Sequence, residues 1–257
     1  MTEDEFRLIE LETHSARENM AIDEAVMLSV RDGLVPPTLR LYRWKPSAVS
    51  IGTFQSMEDE VDVEYCRKNG IDMIRRLTGG GAVYHDYDGE VTYSVIVPKG
   101  HRVAPFDIQK SYEILCGGVI SALELFGLEA KFYPINDVIV GERKISGNAQ
   151  TRRHSCILQH GTVLLDLNIE TMFSILKVDP EKISDKLVTD VKERVVSVRQ
   201  LLDEDVSVEN LSAALRTGFS KALDVVLKTS TLTDLERRRA SEFIESKYGT
   251  MPWNFLR

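Results

Sequence analysis

The chain has 257 residues, 43% of them hydrophobic, which suits one large domain with a substantial core and excludes a disordered polymer. A formal net charge of -8 argues against a general nucleic-acid binder, because phosphate backbones reward basic surfaces. No apolar run is long enough to cross a bilayer, and the acidic start Thr2-Glu3-Asp4-Glu5 is unlike a secretory signal, so neither membrane nor nucleic acid is an expected partner and the cytoplasm is the expected location.

No repeat, low-complexity tract or Pro/Gly/Ser-rich linker divides the chain, so a single domain is expected. Ala21, Ala25 and Leu28 recur at helical spacing within residues 16–32, and Gly33 follows where a left-handed C-terminal residue belongs. The period then changes to two over residues 39–44 and 48–51, with Lys45-Pro46-Ser47 between, which predicts an antiparallel hairpin. A short helix over 63–69, capped by Asp62 and stopped by Gly70, leads into a strand over 71–76. Residues 90–97 read as a strand, and 111–126 as an amphipathic helix ended by Gly127. Three further strands are expected around 131–133, 138–140 and 156–165, followed by helices over 170–176, 209–227 and 234–248. Strands that cluster rather than alternate with helices predict an α+β fold, a mixed and largely antiparallel sheet flanked by helices, with about 180–257 as a mainly helical portion.

Chemistry concentrates in three segments. In Arg75-Arg76-Leu77-Thr78-Gly79-Gly80-Gly81-Ala82-Val83-Tyr84-His85, three glycines after a strand let successive N–H groups converge on phosphate or carboxylate oxygens, whereas a plain turn beside a solvated basic pair is the bland alternative. The loop is neither a Walker A sequence nor a dinucleotide fingerprint. The second segment, Asn136-Asp137-Val138-Ile139-Val140-Gly141-Glu142-Arg143-Lys144-Ile145-Ser146-Gly147, reads as two strands joined at a glycine turn, with Lys144 aimed at a site or at solvent. In the third, His160 precedes Gly161 within a strand, a pairing that suits close approach by a ligand. The three cysteines, Cys66, Cys116 and Cys156, form no C-x-x-C pair and read as reduced core thiols.

Taken in order, Asn19-Met20-Ala21-Ile22-Asp23-Glu24-Ala25, Leu41-Tyr42-Arg43-Trp44, the glycine loop, Lys144-Ile145-Ser146-Gly147-Asn148-Ala149 and the closing Trp253-Asn254 resemble the lipoate-protein ligase A family over most of the chain. That resemblance implies the catalytic-domain fold shared with biotin-protein ligases, and ATP-dependent activation of lipoate followed by transfer to a carrier lysine. It implies Lys144 as the catalytic residue bridging acyl carboxylate and α-phosphate. Arg75, Arg76, Thr78, Gly79, Gly80, Gly81, Ala82, Val83, Tyr84, His85, Asn136, Asp137, Gly147 and His160 would hold lipoate and ATP, with Asp137 helping to place Mg2+. No tightly bound cofactor is expected. The implied partners are lipoate or octanoate, a lipoyl carrier domain of apo E2 or glycine cleavage H protein type, and an accessory subunit replacing the small C-terminal domain of longer ligases, which this chain is expected to lack.

Two rival expectations stand beside this one. Related octanoyltransferases use a cysteine thioester without ATP, and Gln150-Thr151-Arg152-Arg153 with Leu158-Gln159-His160-Gly161 looks like that branch. One such group carries its cysteine just before the lysine hairpin, where this chain has Pro134-Ile135-Asn136-Asp137 and no cysteine. Cys156 lies near His154 and His160, near where a more distant transferase branch carries its cysteine, but its spacing to His160-Gly161 is shifted by one residue and it reads first as structural. The other rival is a non-catalytic acyl-binding protein that retains the pocket.

Overall fold

The computed structural model describes residues 4–166, 168–177 and 194–256. Strand β1, Glu5–His14, runs into helix α1, Ala16–Arg31, at Ser15, whose backbone N–H donates to Glu18 Oε2 at 2.8 Å and so satisfies a donor at the helix start. Helix α1 is buried on nearly every side, including Asn19, Asp23 and Glu24, so its polar residues must find partners inside the protein. Strands β2, Thr38–Trp44, and β3, Ala48–Ile51, follow where the sequence predicts them but do not pair. The residues between them bond outward instead: Lys45 N–H donates to the His14 carbonyl at 2.9 Å and the Ser47 carbonyl accepts from Asp72 N–H at 3.0 Å. Pro46 has no N–H to contribute across a hairpin, and every residue of β3 is buried, so β3 needs neighbours and cover of its own. The chain therefore turns a corner from one sheet into another.

Helices α2, Met57–Glu60, and α3, Val63–Lys68, come next, the latter capped by Asp62, whose Oδ1 accepts from Tyr65 N–H at 2.8 Å. Strands β4, Asp72–Arg75, and β5, Val83–His85, flank β3, parallel and antiparallel respectively, in a three-stranded sheet. Then follow β6, Glu90–Pro98; α4, Ile108–Glu124; β7, Ala130–Tyr133; β8, Asp137–Val140; β9, Arg143–Thr151; and β10, Cys156–Leu164. The remaining described elements are α5, Ile169–Ile175; α6, Val198–Leu202; α7, Val208–Leu223; β11, Val226–Ser230; α8, Asp234–Phe243; a π-helical turn, Ile244–Tyr248; and α9, Met251–Asn254. The helix expected over 209–227 ends early at Asp224, a non-glycine residue at φ 52°, and the chain continues as β11, which pairs in parallel with β1. Residues 178–193 of the portion expected to be mainly helical lie outside the described residues.

Among the described residues the large sheet has eight strands in the order β11-β1-β2-β6-β10-β9-β8-β7, parallel from β11 to β2 and antiparallel beyond. This is the mixed, largely antiparallel sheet flanked by helices that the sequence predicts. One face packs Leu115, Val119 and Leu123 of α4 with Leu211, Leu215 and Phe219 of α7. A Cβ at Gly118 would overlap the Phe219 ring, so glycine there lets the two helices close on each other. The opposite face carries α1 and α8, and the small sheet has its own core of Val49, Ile51, Met57, Val61, Cys66 and Ile175. No helix among the described residues is long and apolar enough to cross a membrane.

Candidate active site

A cavity of about 170 Å³ opens where the small sheet meets β6, β9 and β10. Met20, Trp44, Ala82 and Val83 give it an apolar part, and Arg76, Lys144, Asn148 and His160 supply polar groups. The sequence-predicted Gly80, Gly81, His85, Asn136 and Gly147 also line it. Thr78, Gly79, Tyr84 and Asp137 are not part of that lining, but Thr78 bonds to His160 and Asp137 pairs with Lys144, both of which are.

Adjacent arginines at the end of β4 take opposite directions. Arg76 turns inward, where Nη2 donates to the carbonyls of Gly79 and Gly81 at 2.8 Å each and Nη1 donates to the Ser50 carbonyl at 3.1 Å. Burial pushes this guanidinium down to about 10, so it is a cation held by carbonyls rather than by a carboxylate. Arg75 turns away and donates to the carbonyls of Gly52, Thr53 and Gln55 on one side and Trp253, Asn254 and Leu256 on the other. Its role is corrected from ligand binding to stapling the 253–256 segment against the 52–55 loop, and burial lowers its pKa as well. The glycine loop itself sits tightly: Gly80 has φ +96°, and a Cβ on Gly52 would overlap the Gly80 carbonyl.

On the other wall, Lys144 Nζ meets Asp137 Oδ1 at 2.8 Å, with the lysine side chain partly exposed to the cavity. Asn148 is fixed from three directions. Tyr93 OH donates to its Oδ1 at 2.6 Å, its Nδ2 donates to the Asn136 carbonyl at 2.9 Å, and Gly161 beside it has no Cβ, which would overlap Oδ1. His160 Nε2 lies 2.7 Å from Thr78 Oγ1, and Nδ1 faces Asp23 Oδ2 at 3.5 Å. Burial pushes the His160 pKa down despite that carboxylate. Burial also works against the Asp23 charge, but His160 and Arg40, with Ser94, hold its pKa below the usual carboxylate range. His85 Nε2 is 2.8 Å from Ser50 Oγ and Nδ1 is 2.8 Å from Glu90 Oε1, with the ring stacked on Trp44 at a centroid distance of 4.1 Å.

Sequence reasoning did not assign Ser50, Asp23, Glu90, Trp44 or Asn148 to the site. Asn148 and Asp23 stood in the motifs that carry the resemblance, which was the available signal. The three thiols lie elsewhere. Cys156 Sγ points at α1, 3.6 Å from the Met27 carbonyl, and none of the three cysteines lines the cavity. Burial raises all three thiol pKa values, to about 12 for Cys116 and about 11 for Cys66.

Asp137, expected to help place Mg2+, spends an oxygen on the Lys144 ammonium, and no group of three or more His, Cys, Asp or Glu side chains among the described residues is arranged to hold a metal ion. The arrangement can seat an acyl chain against Met20 and Trp44 with its carbonyl toward Lys144, where an ammonium and amide groups meet developing negative charge.

Residues 15–220 match the family described as the lipoyl protein ligase A/B catalytic domain. An octanoyltransferase LipM from Geobacillus kaustophilus is 37% identical, the match covering 93% of this chain and 94% of that protein. One from Kyrpidia tusciae is 38% identical, with 97% and 98% covered. Among solved structures, a chain from the bi-partite lipoate protein ligase system of Thermoplasma acidophilum is 36% identical with a TM-score of 0.88, covering 100% of this chain and 98% of its own. A lipoate-protein ligase A bound with ATP is 34% identical with a TM-score of 0.83, 98% of each chain being covered. The curated relatives correct the expectation of an ATP-dependent lipoate ligase, because over nearly their whole length they are octanoyltransferases.

Proposed function

Because the chain belongs to the lipoyl protein ligase A/B catalytic-domain family, we propose that it moves an octanoyl-type acyl group from a thioester donor to a lysine amine on a lipoyl carrier domain. The observation that carries this reading is the near full-length similarity to octanoyltransferases, joined to a cavity with a cation, Lys144, at its polar end. Since every cysteine is buried away from that cavity, the transfer is direct. The acceptor amine attacks the thioester carbonyl, the N–C bond forms, the C–S bond breaks, and the amine proton leaves on the departing thiolate. Lys144 stabilises the oxyanion of the tetrahedral intermediate, Asp137 holds its ammonium in place, and the apolar part of the cavity takes the acyl tail.

The test offers the purified chain octanoyl carrier-protein thioester and an apo lipoyl domain without ATP, beside a second mixture of free octanoate or lipoate with ATP and magnesium. Intact-mass analysis of the lipoyl domain reads the product. Modification in the first mixture alone, lost in Lys144→Ala, is the expected result. Modification only in the second, or tight acyl binding with no modification in either, overturns the proposal.

A further inference from the structure

Two buried chains of polar side chains, starting from carboxylates on different elements, end on the same guanidinium. One starts at Asp23 on α1, whose Oδ2 lies 3.5 Å from His160 Nδ1, a charge contact at the limit of hydrogen-bond distance, and runs through His160 and Thr78 to Arg76 Nε, with Thr78 Oγ1 at 3.1 Å from that nitrogen. The other runs from Glu90 on β6 through His85 and Ser50 to Arg76 Nη1, with Ser50 Oγ also at 3.1 Å. All seven side chains are buried. We propose that these two carboxylate–imidazole–hydroxyl relays are positioning devices that orient Arg76 and, through it, set the shape of the Gly79–Gly81 loop for acyl transfer.

The guanidinium fixes the direction of the first bond in both relays. A guanidinium has donors and no acceptor, so each hydroxyl accepts from Arg76, which leaves its own proton free for the neighbouring imidazole Nε2. The relay is complete when each hydroxyl donates to Nε2, which puts the imidazole proton on Nδ1, facing Glu90 in one relay and Asp23 in the other. A run of three glycines has no side chains with which to define itself and has the most backbone freedom to lose. Its carbonyls at 79 and 81 are held by Arg76 Nη2, so whatever fixes the guanidinium fixes the loop. Glu90 lies on β6 of the large sheet and Asp23 on α1 packed against it, both buried, so the relays tie a glycine-rich sequence to the buried core.

The kinetic part of this inference rests on the acyl-transfer reading, whereas the structural part does not, and the experiment separates them. Hydrogen exchange of the loop amides is followed in Ser50→Ala, Thr78→Val, the double variant and the conservative Thr78→Ser. Each single variant is expected to speed exchange about fivefold and the double variant more, the loss being one interior hydrogen bond per relay. Thr78→Ser should return close to wild type. In transfer assays kcat should fall roughly ten- to a hundredfold while KM moves less. Unchanged loop exchange in a folded double variant overturns the proposal. Changed exchange with no substrate pair turned over leaves the relays standing and removes only the reading of function. Should the variants not fold, nitrogen-15 shifts of the wild-type imidazoles decide: both His85 and His160 are expected as Nδ1–H tautomers, and an Nε2–H tautomer at either one overturns the proposal.

Discussion

Lys144 folds back across Gly147, so closely that a Cβ added at Gly147 would stand 2.8 Å from both Cε and Nζ of the lysine. Nothing else about Gly147 demands glycine, since it lies in β9 outside the left-handed region and the next nearest atom, Asp137 Oδ1, is at an ordinary 3.9 Å. Gly147→Ala should therefore spare the fold, with alanine even favoured in a strand by up to about 1 kcal/mol, and displace the ammonium. A displacement of that order costs about a hundredfold in kcat, so transfer should collapse while the melting temperature holds. Steady-state transfer measured beside thermal unfolding checks both halves.

Asp137 is the other constraint on that lysine, at 2.8 Å. Both side chains are partly exposed, so the pair is screened and contributes no more than about 1 kcal/mol to stability. Its value is geometric. Asp137→Asn should leave unfolding nearly unchanged and lower kcat by roughly tenfold, with KM for the acyl donor little altered. A wild-type kcat in this variant would show that Lys144 needs no carboxylate to hold it.

Helix limits were legible where the cause is local. Asp62 caps α3 with its own side chain, and Gly70 and Gly127 follow helices at φ +64° and +74°. The strands misread are those whose partners are remote. Strand β1 pairs with β11, whose residues lie more than two hundred positions away, and no local period announces such a contact. The false hairpin between β2 and β3 has the same origin, since alternation predicts a strand but not its neighbour. In the site, Arg76, His85, Lys144 and His160 were identifiable from their segments. Arg75 was not separable from Arg76, because only the alternation of β4 sends one to the loop and the other to the 253–256 segment. Asp23 was hidden for a different reason: an acidic residue inside a helix reads as surface, and only tertiary contact with Arg40, Tyr42 and His160 reveals it as interior.

The position of Cys156 makes a sharp prediction about the chemistry. Its thiol faces the Met27 carbonyl within the α1 core, and burial raises its pKa, the reverse of what a nucleophile requires. Cys156→Ser should keep transfer within about twofold of wild type, since a hydroxyl can make the same bond to Met27 and the loss is confined to core packing of about 1 kcal/mol. Transfer assays with and without prior iodoacetamide, on wild type and variant, test this. A thioester-linked acyl adduct on Cys156, or abolished transfer in a folded Cys156→Ser protein, would contradict direct attack by the acceptor amine.

His160 gives the site a pH dependence whose sign follows from its burial. Its pKa is lowered in the folded protein, chiefly by desolvation and against the pull of Asp23, with the Arg76 cation adding to the lowering. The unfolded chain therefore takes up a proton at this residue more readily than the folded one. Stability from neutral His160 is fully present above the ordinary histidine value of about 6.5 and is lost as pH falls from there toward the lowered folded value. Asp23 acts in the same direction at lower pH, because its folded pKa is also depressed and its contribution disappears as the carboxylate protonates. Urea unfolding at pH 7.5 and pH 5.5 should show the wild type less stable at the lower pH. His160→Gln, which keeps a polar group beside Thr78 but does not titrate, should be less stable than wild type at pH 7.5 and show a smaller difference between the two pH values. An equal difference in both proteins would place the pH dependence elsewhere in the molecule, with the partly buried His101, whose pKa burial also lowers, as the next group to replace.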